Sequence, residues 1–224
     1  MLGTVYVDFD GTIAPTDPTD TLFDRFCDPS WRAIEVEWQQ GRRTSRDCMA
    51  QQVDLLRASP EAIDQLLATV IIDPQFPGFV DLCRRWGLHV VVVSDGMDRV
   101  VARVLRGAGM DLPFFANRLE WTGGDRWKLH FPFARGDCEA SLGNCKCSHR
   151  PNHRPKGTRR GLEIVVGDGR SDFCIAERSH WVLAKGQLGV HCRSKKIPHS
   201  PIEDFSDATM SLTGWLARNA RKSA

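Results

Sequence analysis

TVYVDFDGTIAP, residues 4–15, decides how the chain is read, because an apolar, β-branched run there ends in two carboxylates, Asp8 and Asp10. Near-continuous hydrophobicity marks a strand buried on both faces. Such a strand gains nothing structurally from ending in acids. Three further runs share the pattern: LHVVVVS (88–94), LEIVVG (162–167) and WVLA (181–184). The second strand runs into SDG and the third into DGRSD, so polar groups again stand at strand ends. Between the runs lie helical patterns such as DRVVARVLRGAG (98–109), where Val100, Val101, Val104 and Leu105 share one face and Gly107 and Gly109 can end the helix. Strands alternating with helices predict an α/β fold with a doubly wound, Rossmann-like parallel sheet. Ligands of such sheets gather at the carboxyl ends of the strands, which is where these acids are.

About eighty residues separate the first two strands, far more than the dozen or so that a crossover needs. The excess carries its own helix signals: Pro29 and Ser30 before WRAIEVEWQQG, a Thr44–Asp47 capping box before CMAQQVDLLRA, and Ser59 and Pro60 opening EAIDQLLATV. The expected division is an α/β core at 1–15 and 75–224 and a small helical cap at 16–74. Leaving the sheet directly after DFDGT, the cap is expected to hang over Asp8 and to close on it through the proline-stiffened connectors APTDPTD and DPQFPG. Beyond Phe114, RLEWTGGDRWKLHF alternates around TGGD and reads as a β-hairpin. SLTGWLARNARKSA reads as a last helix with a basic tail.

Composition narrows the partners. With 42% hydrophobic and 26% charged residues in 224, the chain can fold as one core plus a smaller lobe. Thirty Lys and Arg against 28 Asp and Glu leave a formal +2, too little to make nucleic acid the default partner. No apolar run reaches the roughly 20 residues of a membrane span, and the start lacks the pattern of a secretory signal. The expectation is a cytoplasmic protein, monomer or homodimer, with a small-molecule ligand. Cys27, Cys48, Cys83, Cys174 and Cys192 are scattered without a framework and read as thiols. Cys138, Cys145 and Cys147, with His149 and His153 nearby, have the residue types of a zinc site without the spacing of a paired knuckle. Reduced thiols packed beneath the hairpin are the first reading, structural zinc the second. The seven Trp read as anchors of core and cap.

An isolated Asp after a strand is usually a turn or a cap. Asp8, Asp10, Asp168 and Asp172 converging at strand ends are another matter, because buried carboxylates need a cation. Mg²⁺, a hard ion that takes oxygen ligands, fits that requirement.

DFDGT, then VVSDG, a later Lys, and GDGRSD resemble, in order and spacing, the four motifs of the haloacid dehalogenase superfamily. SDGMD, the Trp-rich hairpin and CEASLGNCKCS resemble its phosphoserine phosphatase, methylthiopentenyl-phosphate phosphatase and phosphocholine phosphatase branch, and the likeness runs from about Thr4 to Leu183. The resemblance implies that Asp8 is the nucleophile that forms an aspartyl-phosphate and Asp10 the general acid and base. It implies Mg²⁺ held by Asp8, the carbonyl of Asp10 and Asp168, with Asp172 orienting the metal's waters. Ser94 would bond a phosphoryl oxygen, the Gly96 region would offer amides, and Thr12, Asp17 and Asp20 are candidate substrate contacts. Arg42, Arg43 and Arg46 are further polar candidates in the cap.

An acid two residues after the nucleophile implies a phosphatase, since it can activate water; transfer to another alcohol, or a non-catalytic phosphate-binding protein, are the alternatives. For the third-motif lysine two residues compete, Lys146 in GNCKCS and Lys156 in RPKGTRRG. Lys146 is preferred because NCK resembles the Cys-Lys pair of that branch. Pro151 and Pro155 would interrupt the helix that usually follows.

Overall fold

A computed structural model describes residues 3–138, 140–150 and 161–220. Lys156, Pro151, Pro155 and His153 lie outside the described residues. In chain order the elements are β1 (Gly3–Val7), α1 (Pro18–Phe26), α2 (Trp31–Gln39), α3 (Ser45–Asp54), α4 (Pro60–Leu67), α5 (Phe76–Arg85), β2 (Leu88–Met97) and α6 (Asp98–Gly107). There follow β3 (Phe114–Gly123), β4 (Arg126–His130), β5 (Leu162–Gly167), α7 (Phe173–Ala176), β6 (Trp181–Ala184), α8 (Gly186–Lys195), β7 (His199–Pro201) and α9 (Phe205–Ala220). Short 3₁₀ turns occupy Lys146–His149 and Arg170–Asp172.

The strands form one sheet in the order β4-β3-β2-β1-β5-β6-β7, parallel except for β4. Chain order runs outward in both directions from β1, so the topological switch lies beside its carboxyl end. Alternation along β1 sends Val5 and Val7 into one core and Tyr6 into another. The first core is closed by Phe79 of α5, Val101 and Val104 of α6, and Phe205 and Leu212 of α9; the second by Ile175 of α7 and Leu188 of α8. The four runs expected as buried strands are β1, β2, β5 and β6.

Two features depart from the sequence reading. The hairpin's first strand is also a member of the main sheet, since Phe114 and Phe115 of β3 pair in parallel with Val92 and Val93. Part of the APTDPTD connector is helical, because Asp17 caps α1 by accepting from the amides of Thr19 (2.8 Å) and Asp20 (3.0 Å), and Pro18 occupies the first turn, where its missing N–H costs nothing.

Helices α1 to α4 form the cap between β1 and α5, and they share one apolar core with the sheet through Leu22, Phe23, Val53 and Leu56. Polar clasps add to it. Trp127 Nε1 of β4 donates to the carbonyl of Ala58 (2.9 Å), Arg99 of α6 forks onto both carboxylate oxygens of Asp64 (3.1 and 2.7 Å), and Ser45 Oγ donates to Asp95 Oδ2 (2.6 Å). These contacts hold helices α1 to α4 against β2, β4 and α6.

Candidate active site

The Asp8 amide donates to the carbonyl of Val166 (2.9 Å), extending the β1–β5 pairing one residue past β1. Phe9 is fully buried, so alternation turns Asp8 and Asp10 to the same side of the chain. The backbone then reverses, with the amides of Thr12 (3.2 Å) and Ala14 (3.0 Å) both reaching the Phe9 carbonyl. Gly11 makes this possible at φ +72°, and a Cβ there would stand 2.7 Å from Asp168 Oδ2. Thr12 Oγ1 donates to Asp168 Oδ1 (3.2 Å) and is buried away from the cavity lining. The structure thus places Thr12 as a holder of Asp168 where a substrate contact was expected.

Asp10 is held at both oxygens. Ser94 Oγ donates to Oδ2 (2.8 Å), Thr19 Oγ1 from the cap donates to Oδ1 (3.1 Å), and the Gly96 amide donates to Ser94 Oγ (2.8 Å). The Ser94 hydroxyl, expected on a phosphoryl oxygen, here addresses Asp10. Burial, reinforced by the charge of Asp17, pushes the Asp10 carboxyl up to about 7 against the bonds from Ser94 and Thr19. A group so poised can both give and take a proton near neutrality. Gly96 is confined by the same pair: a Cβ on it would lie 2.7 Å from Asp10 Oδ2 and 2.9 Å from Ser94 Oγ. Gly96→Ala is expected to displace the Asp10 carboxylate and lower kcat by about 10²-fold, with a folded circular-dichroism spectrum; wild-type kcat would show that the carboxylate accommodates the methyl.

Lys146 is fully buried and its Nζ bridges Asp8 Oδ1 (2.5 Å) and Asp172 Oδ1 (2.7 Å). Burial pulls the ammonium's pKa down, but Asp172 and Asp8 outweigh it and hold that pKa above the usual lysine value. Burial raises Asp8 in turn, with Lys146 lowering it and Asp168 and Asp10 adding to the rise. Carboxylate oxygens of Asp8, Asp168 and Asp172 lie within 4.8 Å of one another. Together with Asp10 they are four carboxylates, all oxygen donors, gathered about the buried Lys146 ammonium, with Lys185 also acting on Asp168. That donor set fits a hard divalent cation such as Mg²⁺.

Above this floor the cap and core enclose a cavity of about 250 Å³, reached by Asp8, Asp10, Gly96, Asp168, Asp17 and Asp20. Glu35, Trp38 and Arg170 also border it, and the sequence reading missed all three. Gln52 Nε2 orients Glu35 (3.0 Å), while the Arg170 guanidinium lies 5.7 Å from the Trp38 ring centroid. Arg42, Arg43 and Arg46 do not line the cavity: Arg43 is paired with Glu37 through Nε (3.0 Å), and the Arg46 amide reaches the Ser141 carbonyl (3.4 Å).

Asp95 and Asn144 were also missed, and they join the parts. Asp95 receives Ser45 of the cap and the Asn144 amide (2.7 Å), and Asn144 Nδ2 donates to the carbonyls of Ser94 (2.7 Å) and Phe115 (2.9 Å). The segment bearing Lys146 is thereby tied to the ends of β2 and β3.

A family profile described as haloacid dehalogenase-like hydrolase matches residues 5–177. The 2-hydroxy-3-keto-5-methylthiopentenyl-1-phosphate phosphatase of Geobacillus kaustophilus is 29% identical over 93% of this chain and 94% of its own. The protein of the same description from an Exiguobacterium species is 30% identical over 94% of this chain and 97% of its own. Among solved structures, a phosphoserine phosphatase from T. onnurineus superposes with a TM-score of 0.67 at 17% identity, covering 93% of each chain, a likeness of fold.

Proposed function

The chain belongs to the haloacid dehalogenase-like hydrolase family and is a phosphatase of it, and on that premise we propose that it is a Mg²⁺-dependent phosphomonoesterase that hydrolyses a small phosphorylated metabolite through an aspartyl-phosphate on Asp8. The observation that carries the reading is the cavity floor, where Asp8 meets the Lys146 ammonium at 2.5 Å and Asp10 stands two residues on, gripped by Ser94 and Thr19.

The Lys146 ammonium and the amides around Gly96 receive the phosphoryl oxygens. An Asp8 oxygen attacks phosphorus as the ester P–O bond breaks, and the Asp10 carboxyl passes its proton to the departing alkoxide. Asp10, now a carboxylate, takes a proton from water; that water attacks phosphorus, the bond to Asp8 breaks, and inorganic phosphate leaves. Mg²⁺, held by Asp8, Asp168 and the Asp10 carbonyl with Asp172 beside them, would supply positive charge opposite the phosphoryl oxygens. An alcohol in place of that water would make the same site a phosphotransferase.

A cavity of about 250 Å³ bordered by the cap suits a small ester better than a phosphopeptide. The methylthiopentenyl phosphate named for the relatives is the first candidate, since Phe23 and Met49 offer apolar contact to its tail. Asp20 and Glu35 on the same wall favour a second, a phosphoserine-like ester carrying an ammonium group. Eight free thiols suit a reducing cytoplasm, where the enzyme would act as monomer or homodimer.

The test is a panel of phosphate esters with metal control. Chelation with EDTA should abolish turnover, Mg²⁺ should restore it, and Ca²⁺ should substitute poorly because its looser coordination misplaces the phosphoryl group. Small esters should exceed a phosphopeptide of similar charge in kcat/KM by about 10²-fold or more. Full activity after exhaustive chelation would remove the metal from the mechanism, and equal efficiency on the phosphopeptide would remove the small-substrate reading.

A further inference from the structure

Among its described residues, the crossover that carries Lys146 has no α-helix to hold it. Between the end of β4 at His130 and the start of β5 at Leu162, the regular structure among the described residues is the 3₁₀ turn Lys146–His149. A long connection with so little regular structure among its described residues would ordinarily be loose, yet it delivers an ammonium to Asp8 at 2.5 Å.

The residues flanking that lysine are Cys145 and Cys147. Their sulfurs converge with that of Cys174, all within 4.8 Å of one another, and Cys174 comes from α7, two residues after Asp172. A fourth thiol, Cys138, borders the same cleft as these three. The four line one small cleft of about 90 Å³, bordered by Arg150 and Arg178. Cys145 is buried, the other three are half-buried, and none is in a disulfide. The sequence reading counted Cys174 among the scattered thiols and set His149 and His153 beside the other three cysteines. In the structure Cys174 completes the group, while His149 stacks on Phe115 and binds Asn144.

We propose that Cys138, Cys145, Cys147 and Cys174 bind a structural Zn²⁺ that staples the Lys146 segment to α7. Zinc bonds to thiolate at about 2.3 Å place tetrahedral sulfurs about 3.8 Å apart, so the sulfurs of Cys145, Cys147 and Cys174, already within 4.8 Å of one another, close on the ion with small side-chain adjustments, and Cys138, on the wall of the same cleft, turns in as the fourth ligand. Each thiol gives up its proton on ligation. Four thiolates around Zn²⁺ retain about two negative charges; Arg135, Arg150 and Arg178 border the cleft together with Asp137 and Glu177, with Arg135 paired to Asp137 and Arg150 to Glu163, so the rim offsets that charge in part. A disulfide would use two of the three converging sulfurs and leave the third. The staple spans both partners of the Lys146–Asp172 contact, so the metal fixes the lysine from outside the catalytic cavity. Thiolate donors separate this site from the oxygen donors around Asp8, and the two sites should select different ions.

The full chain, purified under reducing conditions and dialysed free of loose metal, is expected to hold about one zinc per chain by elemental mass spectrometry. Cobalt-loaded protein should show sulfur-to-cobalt charge-transfer absorption, which oxygen ligands cannot produce. Cys147→Ser and Cys174→Ser should each cut bound zinc by about tenfold or more, whereas Cys192→Ser, in the core beneath α8, should keep it. The wild-type cobalt spectrum decides the matter even if a variant fails to fold. Wild-type protein without zinc and without charge-transfer absorption would overturn the proposal, as would a Cys147–Cys174 disulfide in freshly isolated protein.

Discussion

Asp8→Asn is expected to abolish turnover, lowering kcat by more than about 10⁴-fold, while leaving the melting temperature within a few degrees of wild type. An amide keeps the shape of the side chain but cannot attack phosphorus. Removing the charge should not unfold the site: burial, Asp168 and Asp10 all disfavour the ionised Asp8, and Lys146 retains Asp172 at 2.7 Å. Asp10→Asn should behave differently, slowing the reaction by the 10² to 10⁴ typical of a general acid and base. Because that variant keeps the nucleophile, rapid quenching with a good leaving group should recover phosphate on the peptide containing Asp8. Wild-type turnover by Asp8→Asn, or phosphate found on another side chain, would contradict covalent catalysis at this position.

The proposed nucleophile, Asp8, was legible because its surroundings repeat a local rule. Val5, Tyr6 and Val7 are buried on both faces of a central strand, so the apolar run is continuous and the acids at its end stand out. The same holds for β2, β5 and β6. Strand β7 gave no such signal: His199–Pro201 is three residues long, at the sheet edge and half exposed. The pairing of β3 with β2 was hidden for another reason, since only Phe114, Phe115 and Asn117 take part and the register shifts between them. In the APTDPTD connector the signal was present and outweighed; Asp17 followed by Pro18 is a helix start, but two prolines so close together read as a stiff linker.

Within the site, legibility followed sequence distance. Asp8, Asp10, Asp168 and Asp172 stand at strand ends, where topology alone brings them together. Asn144, Glu35 and Trp38 reach the site from a loop and the cap, and nothing in their neighbourhoods distinguishes them from surface residues. Asp95 lay within a quoted motif, yet its task of joining Ser45 to Asn144 depends on contacts fifty and forty-nine residues away. Cys174, in SDFCIAE, is an ordinary helix residue until the fold places it beside Cys147, twenty-seven positions earlier.

Lys146→Met should cost both activity and stability, and the two losses should respond differently to Mg²⁺. Lys146 is the fully buried cation between Asp8 and Asp172, and methionine fills much of its volume without the charge. Breaking a buried ion pair from one side leaves uncompensated carboxylates and typically costs about 3–5 kcal/mol; here two are stranded, with Asp168 adding repulsion. In EDTA the variant should therefore unfold at clearly lower denaturant concentration than wild type. A divalent cation bound by the same carboxylates restores part of the missing positive charge, so Mg²⁺ should stabilise the variant more than it stabilises wild type. Catalysis should not recover in parallel, because in the proposed mechanism the ammonium also donates to a phosphoryl oxygen as charge develops there, a contribution of about 10²–10³-fold when one such donor is lost. Denaturant titrations of both proteins with and without Mg²⁺, beside kcat measured at saturating Mg²⁺, test the two halves separately. Equal Mg²⁺ stabilisation of variant and wild type would mean that the lysine and the metal do not share carboxylates. Recovery of wild-type kcat in Mg²⁺ would reduce Lys146 to a structural counter-ion and would reopen the question of what neutralises the phosphoryl group.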